Sequence, residues 1–186
     1  NIDIIDLLKT KEYLKEALDY LKQKKKEGAL ILFVGTKISV RKLIKELAEE
    51  IKVPYVIERW LGGTLTNFEV MSGRIKYLKE LEEKTKKGEF EKSTKKERIR
   101  INQELARIER RIGGLRELSR LPDTLFVVDV KKEELAIREA KAKGISMVGI
   151  CDTDGDPTSV DYPIPANDDS VPSLKYILEK VKKVLK

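Results

Sequence analysis

The chain has no histidine and a single cysteine, Cys151. Without imidazole there is no side chain titrating near neutrality in its ordinary state, no Ser-His-Asp or Cys-His arrangement, and no zinc site of the HExxH or finger type. One thiol cannot close an internal disulfide, and with no histidine to deprotonate it Cys151 reads as a buried thiol at a strand end. No apolar run approaches the ~18 residues of a membrane span. The opening Asn1 to Thr10 is neither a signal peptide nor a methionine start, so the chain reads as a cytosolic-type protein whose native N-terminus lies ahead of Asn1. Aromatics are sparse, with one Trp, four Phe and six Tyr, a poor platform for stacking single-stranded bases.

Charge is what the chain has in excess. Charged residues make up 38% of the 186 positions, and 39 Lys and Arg face 32 Asp and Glu for a net charge of +7. Apolar residues at 40% still suffice for a core at this length. The positive surplus is unevenly placed. Residues 66–120 hold 16 cations against 10 acids, residues 1–65 hold 13 against 10, and residues 121–186 hold 10 against 12. A basic field confined to one segment points to a polyanionic partner.

Residues Ile2 to Leu7 read as a short extended lead-in. A helix follows with Leu14, Ala17, Leu18 and Leu21 on its apolar face, capped by Asp6 or Thr10 and ended at Gly28 after Lys24-Lys25-Lys26. Leu30 to Val34 is a continuous apolar run suited to a strand buried on both faces. After Gly35-Thr36-Lys37 a helix turns Val40, Leu43, Ile44, Leu47 and Ile51 inward, Pro54 stops it, and Tyr55 to Ile57 form a second strand, which makes a parallel βαβ unit. The same grammar returns beyond residue 122: strand Leu125–Val128, helix Leu135–Lys143, strand Met147–Ile150, short strand Tyr162–Ile164 and closing helix Val171–Leu185. The expected fold is α/β, a doubly wound parallel five-stranded sheet.

Between these halves there is no strand signal, but there are apolar heptads. Phe68, Met71, Ile75, Leu78 and Leu81 lie on one arm, and Ile101, Leu105, Ile108, Ile112 and Leu115 on the other, with a polar reversal at Lys86 to Thr94. The spacing predicts an inserted antiparallel helical hairpin, a coiled coil, over residues 64–120, with residues 1–63 and 121–186 forming the α/β core. Gly113-Gly114 marks a bend or a close backbone approach.

Three stretches could carry chemistry. Gly35-Thr36-Lys37 opens a helix where amides favour an anion, with Lys37 and Arg41 adding charge. Its single glycine falls short of GxxxxGK[ST] and GxGxxG, which leaves an RNA phosphate, a nucleotide or an ordinary turn. In Arg59 to Asn67, Gly62 and Gly63 admit a close backbone, Thr64 or Thr66 can cap the hairpin's first arm, and Trp60 is available for packing or stacking. Asp152 to Pro157 opens like a calcium loop, but Pro157 and Pro163 stand at the sixth and twelfth positions, so no metal is expected. With Asp161, Asp168 and Asp169 this tract forms an acidic loop at the C-terminal edge of the sheet.

The runs ILFVGTK, RWLGGTLTN, RLPDTLFVVDVKKEELAIREA, GISMVGICDTDGDP and VDYPIPANDDS, in that order, resemble the bacterial-type small-subunit ribosomal protein S-two family, from about Ile4 to Leu178. The resemblance implies a flavodoxin-like core with an inserted coiled coil. It also implies binding to small-subunit rRNA and to neighbouring ribosomal proteins, including the large mRNA-capturing protein S-one, with no enzymatic activity, cofactor, small-molecule substrate or membrane. Location would be the cytoplasmic ribosome, or an organellar one. Family members carry a further N-terminal segment ahead of the stretch matching Ile4 to Leu7, where this chain begins. Matching motifs imply RNA contact at Lys37, Arg59 and the Gly62-Gly63-Thr64 turn. Charge alone adds Arg41, Arg74, Lys95, Lys96 and Arg98. Two other functions compete: a small nucleotide-binding module or enzyme using Lys37, Asp129 and Asp152, and a protein-docking role for the hairpin.

Overall fold

The computed structural model describes residues 4–90 and 94–186, so Ile2 and Asp3 of the expected lead-in lie outside it. Among the described residues the elements run α1 (Leu7–Lys26), β1 (Ile31–Val34), α2 (Ile38–Ile51), β2 (Tyr55–Val56), α3 (Phe68–Lys86), α4 (Lys95–Ile112), a 3-10 turn at Gly113–Leu115, β3 (Thr124–Val128), α5 (Glu134–Ala142), β4 (Ser146–Cys151), a second 3-10 turn at Pro157–Ser159, β5 (Tyr162–Pro165) and α6 (Val171–Leu185). Helix α1 begins at Leu7, the residue on which the lead-in was expected to end. The Asp6 carboxylate accepts from the Leu8 amide at 2.9 Å and from that of Lys9 at 3.4 Å, which satisfies amides that a helix start leaves open. Leu7 is therefore already helical. Thr10 instead donates its hydroxyl to the Pro165 carbonyl at 2.6 Å, tying α1 to β5.

The five strands are all parallel, in the order β2-β1-β3-β4-β5. This is the doubly wound, flavodoxin-like arrangement, and its strand order reverses at β1 and β3. Strand side chains alternate between faces. Ile31, Phe33, Phe126 and Val128 pack toward α1, α2 and α6, with the Phe33 and Phe126 rings 4.9 Å apart. Leu32, Val34, Leu125 and Val127 face the opposite layer, made by α5 and the foot of the α3–α4 hairpin.

The hairpin shares its core with the sheet. Met71, Ile75, Leu78, Ile112 and Leu115 belong to the same buried cluster as Leu32, Val34 and Val127, whereas Leu105 and Ile108 are only partly buried against it. The glycine pair bends the chain as the sequence suggests: α4 stops at Ile112, and a Cβ on Gly114 would lie 2.3 Å from the Tyr55 carbonyl oxygen. The bend is fastened by Arg116, which reaches Glu82 on α3, Glu109 on α4 at 2.9 Å, and the Gly113 carbonyl at 3.0 Å.

Candidate nucleic-acid interface

The Arg59 to Asn67 loop is shaped by a carboxylate from a distant helix. Helix α5 turns Ala136, Ile137, Ala140 and, with them, Glu139 into the core. The Oε1 atom of Glu139 accepts from Trp60 Nε1 at 3.1 Å and from the Gly63 amide at 2.8 Å. Its Oε2 accepts from the amides of Leu65 and Thr66 at 2.9 and 3.1 Å and from the Thr66 hydroxyl at 3.2 Å. Burial alone would raise the Glu139 pKa, but these donors outweigh it and hold the carboxyl below its ordinary range. Gly63 takes a φ of 87°, the left-handed region that glycine enters without strain.

Neither threonine caps the hairpin's first arm. The N-cap of α3 is Asn67, without a side-chain cap bond, because the Thr66 hydroxyl is directed to Glu139 and the Thr64 hydroxyl donates to the Leu61 carbonyl at 2.6 Å. Trp60 is 5% exposed, so its ring packs in the core. What the loop offers to solvent is Arg59, Gly62, Thr66 and Asn67, and the missing Cβ of Gly62 faces open space.

Lys37 and Arg41 are committed inside the molecule. The Lys37 ammonium lies 2.7 Å from Asp168 and 3.8 Å from Asp129, and pairs with Asp169. Burial opposes its charge, yet the Asp168 and Asp169 carboxylates outweigh that and raise its pKa above the ordinary lysine value. Burial, with Asp129 and Asp152 nearby, raises Asp168 in spite of Lys37. Carboxylate oxygens of Asp152, Asp168 and Asp169 come within 4.8 Å of one another, and Lys37 supplies positive charge to this edge of the sheet. Arg41 donates to the Thr36 carbonyl at 3.0 Å and pairs with Glu58 at 3.2 Å. In the same turn, Glu133 accepts from the Thr36 amide at 2.8 Å and the Thr36 hydroxyl at 2.6 Å. Burial nevertheless pushes the Glu133 pKa up.

The family profile described as Ribosomal protein S2 matches residues 1–186. The chain belongs to the ribosomal protein S2 family. It is 48% identical over 180 residues to a protein named small ribosomal subunit protein uS2 from Coprothermobacter proteolyticus, a match covering 97% of this chain and 67% of that protein. Proteins of the same name from Dictyoglomus thermophilum and Dictyoglomus turgidum are each 46% identical over 180 residues, covering 97% of this chain and 73% of theirs.

Within this S2 fold the other basic residues singled out by the sequence fall in two places. Arg74 on α3 stands exposed near the hairpin foot, beside Arg107 and Arg111 of α4. Lys95, Lys96 and Arg98 lie exposed on the first turn of α4, about 13 to 18 Å along the helix from Arg107 at 1.5 Å per residue. Arg59 joins Arg107, Arg110 and Arg111 in one depression. Those three α4 arginines were not among the sequence's candidates, although the run ELARIERRI displays them off the apolar stripe. Glu139 and Glu133 were also missed; their signal is an acidic residue at a buried position of α5 and at its N-cap. Among the described residues, no helix is long and apolar enough to cross a membrane.

Proposed function

We propose that the chain is a structural constituent of the small ribosomal subunit and binds small-subunit rRNA. The observation that carries this reading is the family match along residues 1–186. The exposed basic residues support it. Arg59, Gly62, Arg74, Lys95, Lys96 and Arg98 meet the RNA, while Lys37, Arg41, Gly63 and Thr64 act through the shape they hold. Recognition is of folded RNA, through phosphates and backbone shape, because the one Trp is buried. Residues 64–120 serve as a docking arm on the core of residues 1–63 and 121–186. Neighbouring ribosomal proteins, including the mRNA-capturing protein S-one, complete the environment in the cytoplasmic ribosome. The role is architectural, not catalytic.

The test is co-sedimentation with small subunits stripped of their own copy, at two salt concentrations. Stoichiometric binding that weakens steeply with salt is expected, since each neutralised phosphate releases counterions. Absence of binding at low salt, or saturable binding of ATP, NAD or FMN by calorimetry, would sink the reading.

A further inference from the structure

Five arginines converge where the second arm of the hairpin passes the edge strand β2. Arg107 and Arg111, one helical turn apart, line two adjoining depressions. Arg59 and Arg110 complete one, and Arg74 lies in the other beside the half-exposed Tyr77. Among the described residues, the only carboxylate lining either depression is Glu58. That group is already engaged by Arg41 and Arg110, each at 3.2 Å. Glu104, one turn before Arg107, accepts the Tyr77 hydroxyl at 3.2 Å. Among the described residues, Arg59, Arg74, Arg107 and Arg111 therefore keep their charge without an ion-pair partner. The exposed lysines of α2 differ, Lys42 and Lys45 each facing a glutamate one turn on. Like charges stacked at this helical spacing cost a helix a few tenths of a kcal/mol when nothing opposes them. A guanidinium fork matches a phosphate bidentately. Among the described residues the groove holds one aromatic, Tyr77, and a lone ring is not a platform for stacking successive bases of a single strand.

We propose that this groove at the hairpin foot binds the phosphate backbone of a folded RNA, with Arg107 and Arg111 at its centre and Arg59 and Arg74 on its walls. The proposal rests on the rRNA-binding reading above and assigns it a place. Its test is the affinity for small-subunit rRNA across a salt series, for the whole chain and for three paired variants. Arg107→Gln with Arg111→Gln should bind on the order of tenfold more weakly at moderate salt, with a log–log salt slope shallower by about 1.5 to 2. Arg107→Lys with Arg111→Lys should keep the slope and lose a smaller share of affinity. Lys175→Gln with Lys183→Gln, on α6 across the sheet, removes the same charge and should leave both quantities near those of the unaltered chain. All four side chains are exposed, and matching thermal melts establish that each variant is folded. Equal losses from the groove and α6 pairs, or an unchanged slope for the groove pair, overturn the assignment while leaving RNA binding standing. If the unaltered chain itself shows no salt-dependent binding, the broader reading falls and takes the groove with it.

Discussion

Trp60 and Glu139 meet across 79 positions of sequence, the indole Nε1 donating to the carboxylate at 3.1 Å in a buried setting. Because the chain has one tryptophan, this pair gives the Arg59–Asn67 loop its own optical reporter.

Glu139 and Glu133 should respond unequally to amide substitution. Both oxygens of Glu139 accept hydrogen bonds, so in Glu139→Gln the new NH2 group faces donors, and a loss of roughly 2–4 kcal/mol is expected. Glu133 uses Oε1 alone toward Thr36, and a glutamine carbonyl can keep both bonds. Urea unfolding followed by Trp60 fluorescence compares the two; equal costs would refute the distinction. Their pH signs also differ. The Glu139 pKa is depressed on folding, so its contribution is present above the ordinary carboxylate range and is lost as pH falls through the folded value. The Glu133 pKa is raised, so stability from that group declines as pH climbs from the ordinary value to the folded one. Glu133→Gln should remove that decline.

Lys37→Met leaves Asp168, Asp169 and Asp129 facing one another without their shared cation. A loss of about 1–3 kcal/mol at neutral pH is expected, shrinking in acid as the carboxylates protonate. On the alkaline side, the unaltered ion pairs should persist up to the ordinary lysine pKa and weaken as pH rises through the elevated folded value. Thermal melts at neutral and acidic pH decide; a pH-independent loss would contradict this account.

Two glycines offer opposite outcomes for one added methyl. Gly114→Ala drives a Cβ against the Tyr55 carbonyl and should cost about 2 kcal/mol or more through displaced backbone. Gly73 lies within α3 with nothing near its absent Cβ, so Gly73→Ala should stabilise by roughly 0.5–1 kcal/mol. A rise for Gly114→Ala or a fall for Gly73→Ala in melting temperature would refute the corresponding prediction.

Cys151 is buried, and desolvation pushes its thiol pKa up to about 12. Alkylation by iodoacetamide at pH 8 should be negligible in the native chain and prompt in urea, which makes the thiol a count of global opening. Fast native labelling would show that β4 is accessible.

Most of the fold was legible because its signals are local. The apolar run through Ile31 to Val34, the paired heptads and Gly28, with its φ of 70°, each declare an element within a few residues. The hidden parts depend on partners far along the chain. Lys37 looked like a free cation at a helix start, but its Asp168 partner lies 131 residues on. Glu139 has the sequence appearance of a surface acid until five donors from another loop enclose it. Thr64 and Thr66 had the residue type of a cap, and tertiary hydrogen bonds diverted both. The α4 arginines were visible as charges, but only packing against β2 shows that they share one groove.

The hairpin's uneven burial has a mechanical reading. Its foot is set into the sheet's own core and fastened by Arg116, whereas α4 buries no side chain fully before Ile112. It is a cantilever with a clamped root and a lightly supported span. A load applied at Lys95 would act with a long moment arm about Gly114 and Tyr55, so its strain would concentrate on edge strand β2.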